Sequence, residues 1–96
     1  MFILIAYDVS TVDAAGRGRL RRVARACEDY GQRVQNSVFE CQVGAVQWVR
    51  LRDRLLHAFQ EEQDSLRFYF LDETARQKTE HHGTKKPLDL NEPLIL

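Results

Sequence analysis

The stretch "FILIAYD" at positions 2–8 constrains this chain more than any other. Alternate residues of a strand point to opposite faces, and here both sets are apolar: Phe2, Leu4 and Ala6 on one, Ile3, Ile5 and Tyr7 on the other. A strand of that kind belongs in the middle of a sheet with material packed over each side. It ends in a carboxylate, Asp8, where the chain leaves the sheet. Ninety-six residues make one small domain that buries only about 60% of its unfolded surface, so association with a second copy is expected.

The segments that follow alternate in type. Leu20, Val23, Ala24, Cys27 and Tyr30 form one apolar stripe at helical spacing, which predicts a helix over about Ala14–Tyr30. Gly16 and Gly18 weaken its first turns, and Gly31 is placed to end it. "QRVQNSVFECQV" reads as β structure, either a bent strand or a tight hairpin near Asn36-Ser37, and Gly44 breaks it. A second helix is predicted over about Ala45–Gln60, with Ala45, Trp48, Val49, Leu55, Leu56 and Phe59 inward and Arg52 awkwardly among them. "SLRFYFL" at positions 65–71 is a strand with Leu66, Phe68 and Phe70 on one face. The order β-α-β-β-α-β predicts an α+β fold, a ferredoxin-like sandwich with both helices on one face of a mainly antiparallel sheet. The helix-free face is also rich in apolar groups, and a second copy is the expected cover.

Charge and cysteine usage exclude several function classes. Fourteen basic side chains balance fourteen acidic ones, so net charge selects no partner. The distribution is uneven, however: Arg17, Arg19, Arg21, Arg22, Arg25 and Arg33 face only Glu28 and Asp29 within that stretch. Cys27 and Cys41 lack the spacing of a redox pair or a zinc site. The opening run has neither the basic start of a secretory signal nor the ~20 apolar residues of a membrane span. A cytoplasmic protein with reduced thiols and no membrane association is expected.

Two features carry candidate chemistry. Arg25 has acids within helical reach, but Arg17, Arg19 and Arg22 have no local partner, so they are candidates to bind nucleic-acid phosphates. A solvated arginine face is the ordinary alternative. Three roles are open to Asp8: capping the next helix or turn, pairing with an arginine, or binding a divalent cation. Magnesium is typically held by one or two carboxylates plus phosphate, and one chain offers only Asp8 at this sheet edge. A metal site here therefore requires two copies whose strand ends converge. His57 reads as helix surface, His81-His82 as an exposed polar stretch, and Tyr7 and Phe39 as core aromatics. No nucleophile and base lie in an arrangement suited to acyl transfer.

Taken together, "YDV" after an apolar strand, "GRGRLRRVARACEDYG", "RVQNSVFECQV" and "DSLRFYFLD" resemble the small ferredoxin-like protein of the CRISPR adaptation module, the partner of the CRISPR integrase in spacer acquisition. The resemblance spans about residues 1–72, and "HHGTKKPLDLNEPLIL" resembles the tails of one branch of that family. It implies a ferredoxin-like domain over 1–72 and a C-terminal extension over 73–96 whose last strand adds to a partner's sheet in a homodimer. It implies metal-dependent endonuclease activity on RNA or duplex DNA, with Asp8 as the catalytic Mg2+ ligand. A scaffolding role is implied as well, in which the dimer bridges two integrase dimers and holds DNA. On that reading Asp8 is structural and the chain non-catalytic.

Overall fold

A computed structural model describes residues 1–84 of the chain. The elements run β1 (Phe2–Asp8), α1 (Ala14–Tyr30), β2 (Gly31–Gln35), β3 (Val38–Gln42), α2 (Ala45–Ala58), β4 (Ser65–Leu71) and a short α3 (Glu73–Gln77). Neighbouring strands are antiparallel in the order β2-β3-β1-β4, which places β1 centrally and gives the ferredoxin-like βαββαβ arrangement. No helix among the described residues is long and apolar enough to cross a membrane. The expected exchanged strand at the C-terminus lies outside the described residues.

The core lies between the sheet and the two long helices. Ile3 stands opposite Cys41 and Phe70, and Ile5 opposite Phe39 and Phe68, so the helix-facing side of three strands is one apolar surface. Val23, Ala26 and Cys27 of α1 and Trp48, Leu51 and Leu55 of α2 bury against it. Each large side chain so buried contributes about 1.5–3 kcal/mol. Trp48 meets Phe68 and Phe70 edge-on, with ring centroids 4.9 and 5.5 Å away. Tyr7 and Phe39 are both buried in this core, as their strand positions predicted.

Helix α1 begins at Ala14 in spite of its glycines. The Asp13 carboxylate accepts from the Gly16 backbone N–H at 2.8 Å, capping the first turn. A Cβ on residue 16 would run into the Ser10 carbonyl, so the glycine that weakens the helix is what lets the preceding loop pass beneath it. Helix α2 opens differently: the Gln47 side chain reaches back and accepts from the Gly44 N–H at 2.8 Å.

The hairpin alternative holds for the β segment, with Asn36-Ser37 as its turn. Among the described residues no non-glycine residue has positive φ, so this turn is not the mirror-image type that matches strand twist; a register shift between Arg33 and Gln35 accommodates the difference.

Helix α2 corrects the predicted facing. The buried positions are Trp48, Leu51 and Leu55, while Ala45, Val49 and Leu56 face outward. Arg52 is exposed, and its apparent place among core residues came from a stripe drawn one position away from the true one.

On the face without α1 and α2, Leu4, Ala6, Val38 and Glu40 are half-buried and Tyr69 and Leu71 exposed. The α3 segment reaches its margin, where the Gln42 amide donates to Glu73 Oε1 at 2.7 Å. Burial on this face pushes the Glu40 carboxyl above its ordinary pKa, and Arg76 partly opposes that.

Candidate metal and nucleic-acid site

Strand pairing fixes where Asp8 sits. It is the last residue of β1, opposite Ser65, and shares the α1/α2-free face with Phe2, Leu4 and Ala6. On β4 the same face carries Arg67 and Tyr69. Asp8, Ala6, Tyr7, Ser65, Arg67 and Tyr69 line a shallow cavity of about 210 Å3. Arg67 Nη1 donates to the Tyr69 hydroxyl at 2.9 Å, and its guanidinium lies 5.8 Å from the Tyr69 ring centroid. These contacts hold the cation at the cavity rim.

Other aspartates fill two of the three roles open to Asp8. Asp13 caps α1. Asp64 makes the buried arginine pair, binding Arg19 Nε at 2.8 Å with a fully buried carboxylate. The Asp8 carboxylate is exposed and has no hydrogen-bond or ion-pair partner among the described residues. Its oxygens are free for a ligand. Among the described residues no cluster of three or more His, Cys, Asp or Glu side chains could hold a metal, and Asp8 is the one carboxylate among those lining the cavity.

The three arginines proposed for phosphate binding have different positions. Arg19 is buried: its guanidinium holds both Asp64 oxygens, at 2.8 and 3.2 Å, and Gln63 Oε1 at 3.2 Å. Asp64 also accepts from the Ser10 and Gln60 backbone N–H groups, so the Arg19–Asp64 pair ties α1 and the β1–α1 loop to the α2–β4 loop, and Arg19 is withdrawn from the candidate contacts. These bonds, that from Arg19 foremost, hold the Asp64 carboxyl below the usual carboxylate range. Arg17 and Arg22 are exposed. Neither lines the Asp8 cavity.

Arg67, which is not among the candidates the sequence suggests, is the cation that lines the cavity with Asp8. The signal was available: residues 65, 67 and 69 alternate with the core-facing 66, 68 and 70, and an antiparallel β4 beside β1 carries them to the Asp8 face. Two of the remaining arginines of the arginine-rich stretch are paired with acids. Arg33 pairs with Glu28 at 3.0 Å and Arg25 with Asp29 at 3.5 Å.

Comparison with known proteins agrees with this architecture. The family model described as "CRISPR associated protein Cas2" matches residues 1–79. The chain belongs to the Cas2 family. It is 54% identical to the CRISPR-associated endoribonuclease Cas2 of Chlorobaculum tepidum over 96 residues, covering all of both chains. It is 52% identical to the CRISPR-associated endonuclease Cas2 of Halalkalibacterium halodurans over 95 residues, 99% of each chain. The crystal structure of Streptococcus pyogenes Cas2 at pH 6.5 superposes with a TM-score of 0.76 at 49% identity, covering 86% of this chain and all of that one. The chain is thus a CRISPR adaptation protein with the fold and family its sequence resembles.

Proposed function

We propose that this Cas2-family chain is a homodimeric, Mg2+-dependent endonuclease that hydrolyses phosphodiester bonds in RNA or DNA during CRISPR adaptation, with Asp8 of each protomer as the metal ligand. The observation that carries the reading is the Asp8 carboxylate, exposed and unpartnered at a strand end beside Arg67. Relatives matching the chain end to end at about half identity are named endoribonuclease and endonuclease, which supports it. A single oxygen donor per chain fits magnesium, which keeps several waters, provided a two-fold axis brings a second Asp8 near. When bound, the ion supplies Lewis-acid stabilisation and a more acidic water. Arg67 places a cation for a phosphate oxygen, and Tyr69 holds that guanidinium in place. The half-buried apolar groups around β1 make the α1/α2-free face the suitable dimer surface.

Arg17 and Arg22 serve as phosphate contacts for bound nucleic acid, and integrase dimers are the protein partners. Free, buried Cys27 and Cys41 suit a reducing cytoplasm. A second reading, a non-catalytic scaffold that holds DNA and bridges the integrase, is favoured by one observation: among the described residues no second acid lines the Asp8 cavity.

Cleavage of single-stranded RNA and duplex DNA, with and without Mg2+, separates the two. The nuclease reading expects metal-dependent cleavage that falls about 100-fold or more in Asp8→Ala. Cleavage unaffected by the substitution removes Asp8 as the ligand. Absence of cleavage by either protein, with DNA binding intact, supports the scaffold.

A further inference from the structure

On the helical side of the sheet, α1 and α2 leave a groove of about 570 Å3, lined from α1 by Gly18, Arg21, Arg22 and Arg25 and from α2 by Arg54 and His57. The α1 residues recur at three- and four-residue steps and so share one helix face, as do those of α2. Four arginines line this groove in a chain whose formal net charge is zero, so their concentration is local and does not follow from a generally basic surface. Two acids stand near: Asp29 meets Arg25 at 3.5 Å and Arg54 at 2.7 Å, and Asp53 lies 3.4 Å from His57 Nδ1. Neither reaches Arg21 or Arg22, which have no acidic partner among the described residues.

Gly18 is the more telling residue. It occupies the second turn of a helix, where glycine is unfavourable relative to alanine. Gly16 earns its place against the Ser10 carbonyl, but Gly18 meets no such backbone. What lies within 4 Å of its missing Cβ is Arg22 Nη1 at 3.4 Å and Arg21 Nη2 at 3.8 Å. Two like charges therefore converge over bare backbone, with no counter-ion between them among the described residues. That is an arrangement an anion completes, and the missing side chain leaves it room.

We propose that the Arg22 phosphate contact belongs to this inter-helix groove, a nucleic-acid site separate from the Asp8 cavity, in which Arg21, Arg22, Arg25 and Arg54 bind successive backbone phosphates and Gly18 forms the floor on which one of them rests. The site lies on the opposite side of the sheet from Asp8, so it holds and orients a strand without taking part in cleavage. It rests on the nucleic-acid reading above but not on the assignment of Asp8. Guanidinium groups suit the task because their planar donors engage phosphate oxygens in pairs.

The test uses a fluorescently labelled DNA duplex titrated with the full chain at several salt concentrations. Each duplex phosphate neutralised adds about 0.9 to the slope of log affinity against log salt, so Arg21→Gln/Arg25→Gln lowers that slope by about 1.8. Gly18→Leu keeps every charge and replaces glycine with a good helix former. It is expected to raise Tm while weakening duplex binding several-fold, a pairing that a merely structural glycine does not produce. Arg17→Gln and Asp8→Asn are measured alongside. An unchanged slope in the double variant, or unchanged affinity in Gly18→Leu, overturns the groove site even if Arg17→Gln still weakens binding. Loss of cleavage in Asp8→Asn with the groove effects intact shows that the two sites are separate and leaves this one standing.

Discussion

The Arg19–Asp64 pair shows how much one residue's role depends on partners far away in the chain. Arg19 has no acid within helical reach, and its partner lies 45 residues on. Strand order brings them together: Asp8 is opposite Ser65, so the loops at that edge are neighbours and Asp64 falls beside the start of α1. Asp64→Ala leaves a cation largely buried without its partner and is expected to cost about 3 kcal/mol, read as a fall in the urea midpoint. The pH dependence follows from the direction of the shift. A carboxyl whose folded pKa is depressed contributes stability above its unfolded pKa and loses that contribution as pH falls through the folded value. The wild type should therefore lose stability below about pH 4, and Asp64→Asn should flatten that part of the curve. An equally steep acid limb in the variant contradicts this role. Asp8, by contrast, is legible from its place at the end of an apolar strand; for Arg67 beside it the alternation of β4 marks the face, but only the strand order places that face next to β1.

Element boundaries were read well where local chemistry sets them. Helix α1 runs over Ala14–Tyr30 and β4 over Ser65–Leu71, both as expected, because a cap, a terminal glycine and strict alternation are written into neighbouring residues. The rotation of α2 about its axis was not. Trp48 and Leu55 belong to the stripe as first drawn and to the true one alike; Val49 and Leu56 extend it one way and Leu51 the other. Periodicity cannot choose between adjacent apolar faces. The packing of Trp48 on Phe68 and Phe70 does. Leu51 is fully buried and Val49 is 65% exposed. Leu51→Ala should therefore cost about 2–4 kcal/mol and Val49→Ala less than about 0.5 kcal/mol in denaturant unfolding. Comparable losses at the two positions would return the helix to the first facing.

For the molecule as a whole, the unsatisfied feature is the α1/α2-free face of the sheet, where Leu4, Ala6 and Val38 are only half-buried and Tyr69 lies open. If a second copy covers it, Leu4→Lys places a charge in the interface and is expected to shift the protein to monomer in sedimentation, with its circular dichroism spectrum retained. A dimer undisturbed by that change places the interface elsewhere. Asp8 lies at one end of this same face, so pairing the faces is also what would supply the second carboxylate a metal needs. The most direct test of the account follows from that dependence. Wild-type and Asp8→Asn chains are unfolded together in equal amounts, refolded to randomise pairing, and assayed for Mg2+-dependent cleavage. If both aspartates are required, activity falls to about a quarter of the wild-type value, the share of dimers that retain both. Activity of about half shows that each protomer cuts alone and contradicts the shared site.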